Sequence, residues 1–221
     1  NYHDIVFQCR PGSPALNCCS VNAPRGVGQI YEWGLVQEGG ALYLNSYEPM
    51  QAALPDGMKL TVTGGYPYDG TVHIAADSAG KERVLALRIP AWSRHTSVTV
   101  NGQTATPAAG GYYILSGVFE PDKEILFKLD FTPRIERGAL DCEGKSCVYV
   151  GPVLYGFNAS LHPELDIANL PNLKAGDIAK ARPALFPDGS ARLALPGGIL
   201  LSDFYHLGLT GCEYRTWLPI V

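Results

Sequence analysis

The hydrophobic residues of this chain follow two different periods, and the change between them falls near residue 40. Before it, apolar side chains recur at helical spacing: Val27, Ile30, Tyr31 and Leu35. Asn22 is a good helix-capping residue, Pro24 falls in the first turn, and Gly39-Gly40 ends the segment. The pattern predicts one helix near residues 23–37 with an apolar stripe that must lie against some surface.

From residue 41 onward, apolar and polar residues alternate, which indicates strands with one buried and one solvated face. Turn sequences such as Asp69-Gly70 and Asn101-Gly102 separate these strands. A proline-containing stretch, residues 158–189, is predicted to be an irregular excursion over the surface. The predicted strands are residues 41–48, 58–63, 71–76, 83–89, 97–101, 112–115, 125–131, 147–155, 191–195, 199–205 and 214–219.

These patterns predict an all-β chain in which an antiparallel, jelly-roll-like β-sandwich occupies residues 41–221. The sandwich region either forms one body or divides into two packed subdomains. Residues 1–40 form a loop followed by the single N-terminal helix.

Composition and charge narrow the classes of partner. Lys and Arg total 17 against 21 Asp and Glu, a net charge of −4, and basic residues form no run, so nucleic acid is not an expected partner. No apolar run has the length of a membrane span, and the first residues lack the features of a signal peptide. Because the sequence also starts without Met, we expect a piece of a longer protein, whose cellular location is not indicated.

Two adjacent cysteines, Cys18 and Cys19, are the strongest candidates for chemistry. Adjacent cysteines bridge each other only with strain, so the pair serves separate partners, ligates one soft metal ion, or combines a nucleophile with a ligand. A helix N-terminus and a bound zinc ion both favour the reactive thiolate. The alternative is that both are small buried hydrophobic residues, which is common for free cysteine.

Four residues separate Cys142 from Cys147, so a hairpin turn between them would bring the two thiols together. The spacing leaves open whether this pair forms a disulfide or remains as free thiols.

Other polar candidates have simpler structural interpretations. His73 and His95 each lack a second histidine at metal-ligand spacing, so both are expected to be structural or surface residues. Ser202, Asp203 and His206 superficially resemble a hydrolase set. All three fall within one predicted strand, where neighbours point to opposite faces, so we do not expect them to form one.

Three tryptophans are either a sugar-stacking platform or ordinary core residues: Trp33, Trp92 and Trp217. The more common role of such residues is in the core.

Several separated motifs together resemble the β-L-arabinofuranosidase family of glycoside hydrolases, family 127 and its relatives. They are Asn17-Cys18-Cys19-Ser20-Val21-Asn22-Ala23-Pro24-Arg25-Gly26, Tyr66-Pro67-Tyr68-Asp69-Gly70, Leu87-Arg88-Ile89-Pro90-Ala91-Trp92-Ser93, Gly151-Pro152-Val153-Leu154-Tyr155 and Tyr214-Arg215-Thr216-Trp217-Leu218-Pro219. The resemblance implies a C-terminal portion of such a protein, in which an (α/α)6 barrel with the active site precedes β-sandwich domains. Most of that barrel is missing here.

The resemblance also implies roles for the cysteine pair. Cys18 would be the nucleophile of a retaining mechanism that passes through a thioglycosyl intermediate, and Cys18 and Cys19 would both ligate zinc. The family's other zinc ligands, a glutamate and a cysteine, and its acid/base glutamate lie upstream of this sequence. Cys9 does not match the position of the missing cysteine ligand.

Two main functions and one weaker one therefore remain open. The chain is the C-terminal sandwich part of an arabinofuranosidase-like hydrolase, inactive by itself, or it is a non-catalytic carbohydrate-binding or structural module. The weaker hypothesis places a separate hydrolase site at sandwich carboxylates such as Glu48 or Asp69. Carbohydrate is the expected ligand, and the helix stripe is expected to pack on the sandwich, on a second copy of the chain, or on the missing barrel.

Overall fold

A computed structural model describes residues 18–209 and 211–221, and for residues 18–21, 23 and 31 it describes the backbone alone. The elements of these residues are helices α1 (Cys18–Gly34) and α2 (Ala175–Lys180) and strands β1 (Leu35–Glu38), β2 (Ala41–Leu44), β3 (Met50–Ala53), β4 (Lys59–Gly64), β5 (Thr71–Asp77), β6 (Glu82–Ile89), β7 (Ser97–Val100), β8 (Gln103–Ala105), β9 (Gly111–Val118), β10 (Ile125–Lys128), β11 (Arg134–Arg137), β12 (Ser146–Val150), β13 (Val153–Asn158), β14 (Pro183–Leu185), β15 (Ala191–Ala194), β16 (Leu200–Asp203) and β17 (Tyr214–Arg215). The predicted all-β, sandwich-like class with one N-terminal helix is confirmed.

Helix α1 differs from its prediction at both ends. It begins at Cys18 rather than after Asn22, so Pro24 lies inside the helix and not in its first turn. It ends at Gly34, and Leu35–Glu38 forms strand β1, which pairs with β2. Gly39 and Gly40 have φ of 57° and 81°, the positive values that a tight hairpin turn requires. The glycine pair is therefore a hairpin turn and not a helix stop.

Two sheets face each other across the first core. Sheet 1 has the strand order β1-β2-β6-β9, and sheet 2 has the order β3-β4-β5-β10-β7-β8. Along β5 the side chains of Val72, Ile74 and Ala76 are buried and their neighbours are half-buried, as the alternating pattern predicted. Together with residues of sheet 1 such as Leu85 and Leu87, they form a continuous hydrophobic cluster. One pairing departs from the antiparallel prediction, because β2 and β6 are parallel.

Sheet 3 covers the rest of the chain, with the order β11-β12-β13-β16-β15-β14 and with β17 paired to β13. The single strand predicted for residues 147–155 is wrong. Gly151, with φ of 56°, starts a turn that folds this stretch into the β12–β13 hairpin. Residues 158–189, predicted to be irregular, include α2, whose Ile178 is buried in the core of sheet 3.

The remaining differences concern short strands and strand ends. Strands β3, β8, β11 and β14 were not predicted. Strand β16 ends at Asp203 instead of residue 205, and of the predicted strand 214–219 only β17 pairs as a strand. Short edge strands contain too few residues to display a periodic pattern.

The two cores meet at residues that follow the last strand of sheet 2. Phe131 packs against both hydrophobic clusters. The Tyr68 hydroxyl donates to Oδ1 of Asp203 across 3.3 Å, which links the loop after β4 to the end of β16. The polar and apolar contacts at this junction hold sheet 3 against the sandwich.

Candidate functional site

The cysteine pair lies in the first turn of α1, within the helix rather than ahead of it. This end of a helix carries backbone N–H groups without helical partners, and it favours negatively charged groups such as thiolates. No acidic residue occupies that first turn. The side chains of Cys18 and Cys19, and all of Cys9, lie outside the described residues.

The apolar stripe of α1 does not pack on the sandwich over its described side chains. Val27 is 70% exposed and Ile30 is 57% exposed, while Leu35 belongs to β1 and packs against the first core. The helix is attached at its C-terminal end, where the Asn45 side chain donates to the Trp33 carbonyl across 2.8 Å. The expectation that this stripe folds back on the sandwich is therefore wrong for Val27 and Ile30.

Asp203 and His206 are closer than the sequence argument allowed. Because β16 ends at Asp203, the following turn brings Nδ1 of His206 to 2.9 Å from both carboxylate oxygens of Asp203. Asp203 is fully buried and also accepts from the Ala191 N–H at 2.7 Å. Ser202, one residue earlier on the strand, points to the opposite face, so the three side chains do not form a hydrolase set.

Tyr68 completes this buried polar group from the other side of the junction. Burial, followed by the negative charge of Asp203, raises the pKa of the Tyr68 hydroxyl. Tyr68 and Ala191 also line a cavity of about 700 Å³ between the two cores. The group therefore links the two cores beside a cleft. The sequence does not indicate this contact, because Tyr68 and Asp203 are 135 positions apart.

The two histidines considered from the sequence, His73 and His95, have ordinary surface positions. Nδ1 of His73 lies 2.9 Å from a carboxylate oxygen of Glu124 on the solvated face of sheet 2. His95 lines a cavity of about 750 Å³ at the junction.

The three tryptophans occupy separate regions and do not form one platform. Trp33 is 60% exposed on α1. The ring of Trp92 packs edge-on against Phe131, and the Arg134 guanidinium lies 5.5 Å from its centroid. Trp217 is 37% exposed and lines two adjoining cavities beside sheet 3.

Cys142 and Cys147 are free thiols. The connection between β11 and β12 spans residues 138–145, so Cys142 lies within this loop, while Cys147 lies on β12 opposite Glu136. Burial, followed by Glu136 and Cys142, raises the pKa of the Cys147 thiol to about 11. A turn does lie between the two cysteines, where the Lys145 N–H donates to the Cys142 carbonyl at 3.1 Å, but no disulfide joins them.

Glu48 and Asp69 each have a local partner. The Ser46 hydroxyl donates to Glu48, and Asp69 accepts from the Thr71 N–H at 2.9 Å, the pattern of an Asx turn. In the described residues, no three His, Cys, Asp or Glu side chains are grouped so that they could hold a metal ion.

Comparison with protein families supplies the deciding observation. Residues 41–131 match the model of the β-L-arabinofuranosidase GH127 middle domain. Those residues form the two-sheet sandwich except for its edge strand β1. This part of the chain is thus similar to a GH127 middle domain. The resemblance read from the sequence motifs is confirmed.

Solved structures share the fold over nearly the whole chain. A GH127 β-L-arabinofuranosidase from Geobacillus stearothermophilus T6 is 21% identical with a TM-score of 0.74, over 93% of this chain and 38% of that one. A second structure, a GH127 β-arabinofuranosidase, is 20% identical with a TM-score of 0.75, over 93% of this chain and 39% of its own. A third structure, a glycoside hydrolase, is 20% identical with a TM-score of 0.74, over 92% of this chain and 40% of its own. This chain thus spans about two fifths of the length of the structures it matches.

Neither curated proteins nor the described helices of the chain add a further match. No curated protein matches the chain. Among the helices of the described residues, none is long and apolar enough to span a bilayer.

Proposed function

We propose that this chain is the C-terminal β-sandwich part of a β-L-arabinofuranosidase-like glycoside hydrolase, and that it contributes Cys18 and Cys19 to an active site completed by a helical barrel segment. The observation that carries this proposal is the match of residues 41–131 to a GH127 middle domain, preceded by strand β1 and by a helix whose first turn holds the cysteine pair. The fold similarity to GH127 structures over more than nine tenths of the chain supports it.

In the proposed reaction, the Cys18 thiolate attacks the anomeric carbon of the sugar. The S–C bond forms as the bond from carbon to the leaving oxygen breaks, and a general acid on the barrel segment protonates that oxygen. Water then attacks the same carbon, the S–C bond breaks, a base takes the proton from water, and the thiolate is restored. Two displacements at one carbon retain its configuration.

Zinc fits the proposed site by donor type. Two adjacent thiolates, Cys18 and Cys19, are the soft ligands that zinc prefers, and a tetrahedral protein site needs further donors from another segment. When bound, zinc would keep the thiols deprotonated at neutral pH. Within this chain, the first turn of α1 holds the two cysteines beside each other and offers N–H groups that favour thiolates.

A reconstitution assay tests the proposal. The purified chain is assayed on an aryl β-L-arabinofuranoside, alone and with a GH127 helical barrel segment, each with and without zinc. We expect little or no turnover by the chain alone, since general acid catalysis contributes roughly 10²–10⁴-fold and its acid is supplied by the barrel. Turnover is expected only with the barrel segment.

Cysteine variants make this assay specific. Cys18→Ser should abolish the reconstituted turnover, and Cys19→Ser should weaken zinc retention measured by metal analysis. Cys142→Ser is the matched control, because Cys142 is a free thiol in the loop before β12, and it should leave turnover unchanged. Turnover that survives Cys18→Ser would refute the assigned nucleophile. Failure of reconstitution, combined with glycan binding by the metal-free chain, would favour a non-catalytic carbohydrate-binding module.

A further inference from the structure

A groove runs along the C-terminal segment beside sheet 3. Two adjoining cavities, of about 540 Å³ and 250 Å³, share four lining residues: Lys145, Ile167, Arg215 and Trp217. We call this surface the Trp217 groove. Its combined size is in the range of small-molecule sites, which are typically about 300–1,000 Å³.

Backbone hydrogen bonds fix the walls of the groove. Ser146 and Leu218 exchange N–H···O bonds of 2.9 and 2.8 Å, which puts Trp217 next to Lys145. On the other side, Arg215 pairs with Phe157 of β13, and the approach is so close that a Cβ at Gly156 would lie 2.6 Å from the Arg215 carbonyl oxygen. Leu218 is fully buried in the core of sheet 3. The segment is thus anchored, and Trp217, adjacent to the buried Leu218, keeps its ring at the groove.

The charges at the groove oppose those of the chain as a whole. Lys145 and Arg215 line both cavities, and Glu213 lines the larger one, so the lining is net positive in a chain of net charge −4. Within the described part of the chain, neither cationic side chain takes part in a salt bridge. The Asp166 carboxylate attracts Arg215 electrostatically without forming a salt bridge with it. Two such cations beside a partly exposed indole can recognise an anion that also has an apolar face.

We propose that the Trp217 groove binds a carboxylated sugar, a uronate unit of an acidic oligosaccharide. The C–H face of the pyranose ring lies on the Trp217 indole, and the carboxylate lies between the Arg215 guanidinium and the Lys145 ammonium group. Arg215 is the better partner, because its planar fork matches the two carboxylate oxygens. The groove and its charges come from the structure alone, while the choice of a sugar as ligand rests on the proposed hydrolase function.

The test is a titration of the full chain with trigalacturonate, followed by intrinsic tryptophan fluorescence and by ligand-observed NMR. A neutral galactose trisaccharide of equal length and acetate are the comparison ligands. We expect trigalacturonate to bind at least about 10-fold more tightly than either, because it alone offers both the ring face and the charge. Arg215→Gln and Trp217→Ala should each weaken binding by about 10-fold or more, and Trp217→Phe should weaken it less.

Helix α1 offers matched controls, an exposed tryptophan and an exposed arginine remote from the groove: Trp33→Ala and Arg25→Gln should leave binding unchanged. Equal affinity for acetate would mean a simple anion site and would overturn the proposal. Binding lost equally in the control variants, or absent in the wild-type chain, would also overturn it. The titration contains no arabinofuranoside and no barrel segment, so its failure leaves the proposed hydrolase function to its own assay.

Discussion

The two cores of this chain are built differently. In the first, sheets 1 and 2 cover each other, and the core contains alternating side chains from strands on both sides. In the second, sheet 3 is covered by connecting segments, among them α2, the 3-10 turn at residues 167–169 and the C-terminal stretch around Leu218. A sheet facing a sheet leaves little unfilled space, whereas irregular segments on a sheet leave clefts between them. The Trp217 groove is one of those clefts.

This difference suggests that the first core mainly stabilises the fold, whereas the segments around sheet 3 also form surfaces for binding. Strands of the sandwich such as β5 alternate buried and half-buried side chains, and the buried ones fill a dense core. The second core is held by many backbone bonds to non-strand residues, such as the 2.8 Å bond from the Leu173 N–H to the Pro219 carbonyl. Surfaces that bind ligands are more often built from loops on a stable scaffold. We therefore expect changes in the first core to affect folding, and changes around sheet 3 to affect binding as well.

The largest expected loss of stability comes from truncating a large buried side chain in either core. Phe127 is fully buried and packs 4.6 Å from the ring of Tyr47, and Leu201 is fully buried in sheet 3. Phe127→Ala should lower the free energy of unfolding by about 3–5 kcal/mol and Leu201→Ala by about 2–5 kcal/mol, since each leaves a cavity. Urea denaturation followed by fluorescence and circular dichroism measures both.

These two variants also test whether the cores unfold together. Because Phe131 packs on both cores, we expect one transition that both substitutions shift. A substitution that shifts only one of two separate transitions would show independent cores. Ile114→Ala, at a half-exposed position of β9, is the control and should change stability by about 0.5 kcal/mol or less.

The buried polar group at the junction should have the next largest effect. Asp203→Asn replaces the carboxylate that lies 2.9 Å from Nδ1 of His206 and should cost about 2 kcal/mol of stability, the scale of hydrogen bonds to a charged group. Tyr68→Phe removes one hydrogen bond to Asp203 and should cost about 1 kcal/mol. A double-mutant cycle by urea denaturation measures their coupling, and strictly additive effects would contradict a shared network.

Alkaline pH should lower the free energy of unfolding through the ionisation of Cys147, on strand β12 of sheet 3. Burial raises the pKa of this thiol to about 11, so the unfolded chain loses the proton first. The contribution of Cys147 to stability is complete below its ordinary pKa, near 9, and disappears as the pH rises through about 11. Urea midpoints at pH 8, 10 and 11 should fall less steeply in Cys147→Val than in the wild type.

Buried tyrosines titrate in an overlapping range, which makes a control necessary. Burial and the charge of Glu48 raise the pKa of Tyr66 to about 12. Cys142→Ser keeps both Tyr66 and Cys147 and should nearly reproduce the wild-type pH profile, because burial is the largest cause of the raised pKa of Cys147 and Cys142 is the smallest one. An unchanged profile in Cys147→Val would assign the alkaline loss to the tyrosines instead.

The smallest expected effect lies on α1, which belongs to neither core. Val27 projects into solvent, so Val27→Ser should change the free energy of unfolding by about 0.5 kcal/mol or less at low protein concentration. Sedimentation measures whether the chain self-associates. A larger loss that grows with protein concentration would mean that a second copy covers this helix face.

Sequence periodicity predicted the sandwich well and the second core less completely. Residues such as Val72, Ile74 and Ala76 alternate without interruption, so β5 was placed to within one residue. Around sheet 3 the same rule predicts one strand for β12 and β13, because the residues on both sides of Gly151 and Pro152 are apolar. Gly151 and Pro152 form the turn that separates the two strands. Helical spacing predicts a helix up to residue 37 because Leu35 continues the apolar stripe, whereas the backbone of Leu35 pairs with β2.

The candidate sites depended on a different kind of information. Adjacent residues such as Cys18 and Cys19 are visible in a sequence because their proximity is covalent. The Trp217 groove is not, since Lys145 approaches Trp217 only through the Ser146–Leu218 backbone pair. Likewise, the contact of Asp203 with His206 depends on where β16 ends, and strand ends are poorly determined by periodicity.

The parallel pairing of β2 with β6 has a consequence for the order of folding. Between these neighbours in sheet 1, residues 45–81 run through β3, β4 and β5 of sheet 2. Closing this long loop costs conformational entropy, which the chain must lose before Leu42 pairs with Leu85. Local hairpins such as β4–β5 can form earlier, so sheet 1 is completed late and over a single non-local barrier. Low φ-values at Leu42 beside higher ones at Leu60 would be the kinetic signature of that order.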